Sequence, residues 1–247
     1  MSFMLFLALL PAAVLMIYIY RKDKVEKEPF LLLAGLFLLG AATIVPACIA
    51  ELVFGGILKV LFFEGTVPYM VIENFLIVAL SEEVCKYFIL RRLTWRSPHF
   101  NYTFDAVVYA VAVSLGFAAF ENVLYVLDGT VRTAIMRAIL SVPGHAIDGV
   151  FMGFYYGIAK KCSAAGNAAG AKMNLQKALA VPVLLHGFYD FCLDMSSDAG
   201  IFLLVFFAFE IIITILAMRK VNRLSVADES LVPETPPDFP YGDMGDM

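Results

Sequence analysis

Between Val67 and Leu90 an apolar run of membrane-spanning length carries two adjacent carboxylates, Glu82 and Glu83, and a lysine, Lys86. A charged residue at the centre of a helix in lipid costs roughly 2.5 to 3.5 kcal/mol on insertion scales, so these three side chains cannot all face lipid. Polar groups on other helices have to meet them. The chain is therefore constrained to a helical bundle whose interior holds an ionisable cluster. Composition supports the membrane setting: 61% of the 247 residues are hydrophobic and 16% charged, where soluble domains carry about a quarter charged. With about 20 residues per crossing, the apolar runs use most of the chain and leave no room for a large soluble domain.

Apolar runs and their flanks predict an all-α polytopic membrane protein of about seven spans, at residues 2–20, 29–54, 67–90, 104–127, 132–159, 175–193 and 201–218. The second span is expected to end in a Gly55-Gly56 turn and a weakly amphipathic piece reaching Thr66. A cleavable signal peptide is the competing reading of the first run, but its cations Arg21, Lys22, Lys24 and Lys27 follow the run instead of preceding it. Most of the 18 Lys and Arg fall in loops on one side of the bundle, which places the N-terminus outside and the C-terminus in the cytoplasm.

Residues 1–226 are thus read as one membrane-embedded domain and 227–247 as a disordered, Pro-rich, acidic cytoplasmic tail. Lys160 to Lys172, with Ala and Gly between its lysines, reads as a mobile loop. The four cysteines show no CxxC spacing and are read as packing residues. Neither a repeat nor any sign of a nucleic-acid partner is found.

Four polar constellations interrupt the spans: Glu82, Glu83 and Lys86; Phe117-x-x-x-Glu121-Asn122; His145 with Asp148; and His186 with Asp190. Residues three or four apart share a helix face, so each of these histidines has a carboxylate placed to orient its ring. His186 and the glutamate pair lie at similar depths, about 16 Å and 12 to 13 Å from the cytoplasmic helix ends, with Glu121 deeper at about 25 Å. Gly149, Gly153 and Gly157 form a small-residue row read as helix packing. His99 reads as a solvated loop residue. Intramembrane ionisable groups mark function by default, so the cluster is a candidate site.

In this order on separate helices, Glu82-Glu83-x-x-Lys86, Phe117-x-x-x-Glu121-Asn122 and His186-x-x-x-Asp190 resemble the PrsW family of bacterial intramembrane proteases. That family is related to the CAAX prenyl proteases and bacteriocin-processing enzymes. The resemblance covers Leu80 to Asp190 and, more loosely, the seven-helix layout. It implies that Glu82 and Glu83 are the essential glutamate pair, that Glu121 stands where the wider group has a histidine, and that His186 with Asp190 forms the last motif. His145, with Arg137 upstream, resembles a further polar site. The implied activity is regulated proteolysis of a single-span membrane protein in the bacterial plasma membrane, such as an anti-sigma factor in envelope or antimicrobial-peptide stress.

On this reading Glu83 or Glu82 is the general base, with Lys86 expected to pair with Glu82 and leave Glu83 to take the proton. His186, oriented by Asp190, positions water or the oxyanion, and Asn122 is a spare donor. Zn2+ could be held by His145 or His186 with Glu121 and a second acid, leaving one position for water; HExxH is absent, and a metal-free glutamate mechanism uses the same residues. Two other classes fit a buried Glu/His cluster or an acidic tail: a proton- or ion-coupled transporter or sensor, and a non-catalytic scaffold.

Overall fold

The computed structural model describes residues 2–127 and 129–231. Helices account for nearly all of them: α1 (Ser2–Lys22), α2 (Phe30–Ala42), α3 (Ile44–Leu61), α4 (Val67–Val71), a π-helical segment (Ile72–Ala79), α5 (Leu80–Thr94), α6 (Asp105–Leu127), α7 (Val131–Ile139), α8 (Ser141–Ala164), α9 (Ala168–Asp198) and α10 (Ile201–Val226). Apart from an isolated antiparallel bridge between Tyr102 and Ser230, no strand pairing occurs among the described residues. Five stretches are long and apolar enough to cross a membrane: Phe3–Lys22, Phe30–Leu61, Asp105–Leu127, Ala168–Ser197 and Ile201–Val226.

α6 forms the axis of the bundle. From Asp105 to Ala119 every residue is buried, and α1, α2 and α8 pack around it. Small residues set these approaches. A Cβ on Gly40 of α2 would lie 2.2 Å from the Val113 carbonyl oxygen, and one on Gly116 of α6 would lie 1.9 Å from that of Phe37. On α8, Gly149 and Gly153 face the backbone of Val111 and Val107, with Cβ positions 3.0 and 2.5 Å from the opposing Cα atoms. The glycine row is a packing seam, and the helix it packs against, α6, is the more deeply enclosed of the two.

Several boundaries differ from the sequence reading, each for a local reason. The run 29–54 is two helices that meet at Thr43, whose hydroxyl donates to the Gly40 carbonyl at 2.6 Å. Pro46, near the start of α3, has no N–H to continue the ladder from α2. α3 then runs straight through Gly55 and Gly56, since glycine inside a helix costs only about 1 kcal/mol. The turn falls instead at Gly65, at φ +77°.

The run 132–159 also divides, into α7 and α8 at Leu140, three residues before Pro143. Lys160 to Lys172 is not a long loop. α8 continues to Ala164, Gly166 turns the chain at φ +74°, and the Asn167 side chain caps α9 by accepting from the Gly170 N–H at 2.8 Å.

Ala227 to Leu231, assigned by sequence to the tail, folds back on the bundle. Asp228 Oδ1 accepts from Phe104 N at 2.8 Å and from the Thr103 hydroxyl at 3.0 Å, and Leu231 N donates to the Asn101 carbonyl at 2.7 Å. Asp228 thereby satisfies a backbone donor at the start of α6. The rest of the expected tail, 232–247, lies outside the described residues.

Candidate active site

Leu80 to Thr94 places Glu82, Glu83 and Lys86 on one face of α5, and all three are buried. Lys86 Nζ lies 2.7 Å from Glu83 Oε1, 3.0 Å from Glu82 Oε2 and 3.2 Å from His145 Nδ1, and stands 4.1 Å from the centre of the Phe117 ring. The lysine therefore pairs with both glutamates, not with Glu82 alone. An ammonium group can only donate, so His145 Nδ1 accepts from it. The ring proton then sits on Nε2, which meets Glu121 Oε2 at 2.9 Å. Glu121, not Asp148, is the carboxylate that orients His145.

α9 supplies His186. Its Nδ1 is 3.0 Å from Glu83 Oε1 and 3.9 Å from Glu82 Oε2, and its Nε2 is 3.2 Å from Asp190 Oδ2, four residues on. The two imidazoles stand edge to face, 5.2 Å between centroids. What brings α9 so close is Gly187, where a Cβ would fall 2.6 Å from the Phe75 ring and 3.0 Å from Phe75 Cα. Phe75 belongs to the π-helical segment directly before α5. That segment's wider turn is of a kind often found at functional sites, and nothing in the apolar pattern signals it. One further bond secures the contact: Asn74 Nδ2 donates to Asp194 Oδ2 at 2.8 Å.

Asn122 and Arg137 have structural work. The Asn122 amide donates to the Ala8 carbonyl at 2.8 Å and accepts from Arg137 Nε at 3.1 Å, joining α1, α6 and α7. Asn122 is thus not the spare donor expected from sequence. Arg137 Nη2 stands 2.7 Å from Glu121 Oε2 as an ion pair, out of line for a hydrogen bond.

Glu82, His145 and His186 line a cavity of about 520 Å³ whose walls also include Asp148, Asp190 and apolar side chains such as Leu124, Leu185 and Phe209. Glu51, Asn74, Asp194 and Glu210 reach the same cavity. Glu51 and Asp194 did not stand out in the sequence, although each is an acid beside or within an apolar run, the available signal. Glu83 lies behind the cavity wall with no exposure.

Glu82, Glu83, His145 and His186 each offer one donor atom, all within 4.8 Å of one another, the one such group among the described residues able to hold a metal ion. His145 and His186 belong both to this group and to the set read from sequence, while Glu121 stands outside it as a partner of His145. By type the donors suit a divalent metal, two imidazoles and two carboxylates being zinc ligands, and Glu83 Oε2 is buried with no hydrogen-bond partner among the described residues. The Lys86 ammonium already meets Glu82, Glu83 and His145 Nδ1, so an ion would have to displace it.

The family model for "PrsW family intramembrane metalloprotease" matches residues 28–217. The chain is 34% identical to Protease PrsW of Oceanobacillus iheyensis, over 86% of this chain and 92% of that one. It is 36% identical to Protease PrsW of Bacillus subtilis, over 81% and 86%. A comparison with solved structures finds no match. With the catalytic-type cluster buried among apolar helices, this chain belongs to the PrsW family of intramembrane proteases and is a multi-pass protein of the bacterial cell membrane.

Proposed function

We propose that the protein is an endopeptidase that cuts a peptide bond in a single-span membrane protein, such as an anti-sigma factor controlling envelope or antimicrobial-peptide stress. The observation that carries this reading is the convergence of Glu82, His145 and His186, from three helices, on one wall of a largely apolar cavity. A transporter using the same cluster is not favoured by the family membership.

Glu82 faces the cavity, whereas Glu83 is enclosed between Lys86 and His186. This reverses the roles read from sequence. Glu82 takes a proton from water, and the oxygen attacks the scissile carbonyl carbon. His186, held at Nδ1 by Glu83 and at Nε2 by Asp190, turns one ring N–H from its carboxylate to the negative oxygen of the tetrahedral intermediate. Glu82 then hands its proton to the amide nitrogen, the C–N bond breaks, and an amine and a carboxylate leave.

His145, His186 and Glu83 would hold Zn2+ where the Lys86 ammonium now meets Glu82, Glu83 and His145, the ammonium withdrawing and Glu82 staying at the cavity. The ion would supply a Lewis acid for the carbonyl and lower the pKa of bound water.

Seven crossings with the N-terminus outside complete the proposal. Val67–Thr94 and Ser141–Ala164 are helical over crossing lengths, and their lower hydropathy comes from site residues that face inward. Cations at one end of the bundle support the orientation: Lys22 Nζ donates to Asn222 Oδ1 at 2.6 Å, Lys160 Nζ donates to the Trp95 carbonyl at 2.7 Å, and Lys161 pairs with Glu229.

Co-reconstitution with a single-span reporter tests the activity. Glu82→Gln and His186→Ala should each lower cleavage by about 10²-fold or more. Unchanged cleavage in both would overturn the assignment.

A further inference from the structure

The cavity is more acidic than its chemistry requires. Glu82 and Glu83 are paired with Lys86, Glu121 with Arg137 and His145, Asp190 with His186, and Asp194 with the Asn74 amide. Three other acids, Glu51 on α3, Asp148 on α8 and Glu210 on α10, line the cavity with no hydrogen bond or ion pair among the described residues. Asp148 is 5% exposed and lines the cavity. These three do not form a second metal group, since only the Glu82, Glu83, His145 and His186 set has the donor spacing for one among the described residues. The cavity's one arginine is already engaged, by Glu121 and Asn122.

Asp148, withdrawn from water without a partner, is costly to leave so, and an incoming cation relieves it, with the half-buried Glu51 and Glu210 adding to the attraction. Between them the wall is apolar, with Leu185, Leu193 and Phe209. A side chain with an alkyl stem and a cationic head satisfies both surfaces. An acidic side chain would find no cation free to pair with it in the cavity, since Arg137 is already taken.

Resting on the protease reading above, we propose that this cavity selects a membrane-anchored segment that places a lysine or arginine side chain beside the scissile bond, against Glu51, Asp148 and Glu210. The preference concerns the bound segment only and leaves the hydrolytic step as described.

The test is a panel of single-span reporters co-reconstituted with the full chain in liposomes. Each reporter carries Lys, Ala or Glu at one position on either side of a bond mapped by mass spectrometry. At one or more of these positions the Lys reporter should be cut at least tenfold faster than the Ala reporter, and the Glu reporter slower than both. In Glu51→Gln, Glu210→Gln and the double variant, the Lys-to-Ala ratio should fall towards one. Glu51 and Glu210 have no hydrogen bond or ion pair among the described residues for the variants to break, and the wild-type panel tests the preference without any variant. Equal rates across the panel, or a Lys-to-Ala ratio that all three variants leave intact, overturn the inference while the protease reading stands. Failure of the wild type to cut any reporter overturns the protease reading and this inference with it.

Discussion

Lys86 and Glu83, three residues apart on α5, form an ion pair at 2.7 Å in which neither side chain is exposed. Removing one partner of such a pair leaves an uncompensated buried charge, typically at a cost of about 3 to 5 kcal/mol. Lys86→Met should therefore unfold at a markedly lower temperature in detergent than the wild type. Adding Glu82→Gln to it should recover part of the loss, because the ammonium serves both carboxylates. Melting curves of the two variants check this, and a wild-type melting temperature in Lys86→Met would contradict it.

Asp190 acts through His186, since its carboxylate reaches Nε2 and its side chain is otherwise a quarter exposed. Partners that orient a working imidazole are commonly worth 10- to 100-fold in activity. Asp190→Asn should lower kcat by about that factor with little change in KM, and Asp190→Glu should restore part of it. A purely structural role would instead show as lower stability with unchanged kcat for the folded fraction.

Much of this site could be read from residue spacing. Glu82, Glu83 and Lys86 lie on one face because three- and four-residue steps nearly complete a helical turn, and His186 meets Asp190 for the same reason. Contacts between helices could not be read that way. His145 has Asp148 three residues away, yet it takes Glu121 from α6, because tertiary packing sets the ring's direction. Asn122 likewise looked available in isolation and is used by Ala8 and Arg137. Among helix boundaries, the breaks at Thr43 and Leu140 did carry a signal, in Pro46 and Pro143. The π-helical turn carried none, because an apolar run looks the same at either pitch.

Gly187 permits the approach that puts His186 against Glu83. An added methyl would sit 2.6 Å from the Phe75 ring and 3.0 Å from its Cα, so α9 or the π-helical segment must shift. Small-to-large changes in packed interiors cost about 1 to 3 kcal/mol, and displacement of a reacting group by about 1 Å can cost 10²-fold in rate. Gly187→Ala should therefore lose activity out of proportion to stability. Gly56→Ala, where nothing lies within 4 Å of the added carbon, should keep full activity and gain up to about 1 kcal/mol. Paired melting and cleavage assays distinguish the two outcomes.

If His145, His186 and Glu83 hold zinc, protein purified without chelator should contain close to one equivalent, and His186→Ala and Glu83→Gln should each reduce that content. Because a bound metal stabilises the folded state by mass action, a strong chelator should also lower the melting temperature of the wild type and leave that of His186→Ala unmoved. Elemental analysis with melting curves checks this without relying on cleavage.

Asp23, just beyond the end of α1, is 1% exposed, and among the described residues neither carboxylate oxygen makes a hydrogen bond of normal geometry. Burial pushes its pKa up from 3.8 to about 6; Lys27 nearby opposes the shift, while Glu28 and Asp228 add to it. Between those values the folded chain holds a proton that the unfolded chain has released, so stability falls as pH rises. This contribution is fully present below pH 3.8 and lost once pH passes about 6. Asparagine mimics the protonated carboxyl at all pH values. Asp23→Asn should therefore melt above the wild type at pH 7.5, with the difference shrinking as pH falls from 6 towards 4. The difference in melting temperature between the two proteins, taken across this range in one detergent, measures the effect. A difference that stays constant with pH would mean that Asp23 titrates alike in the folded and unfolded chains.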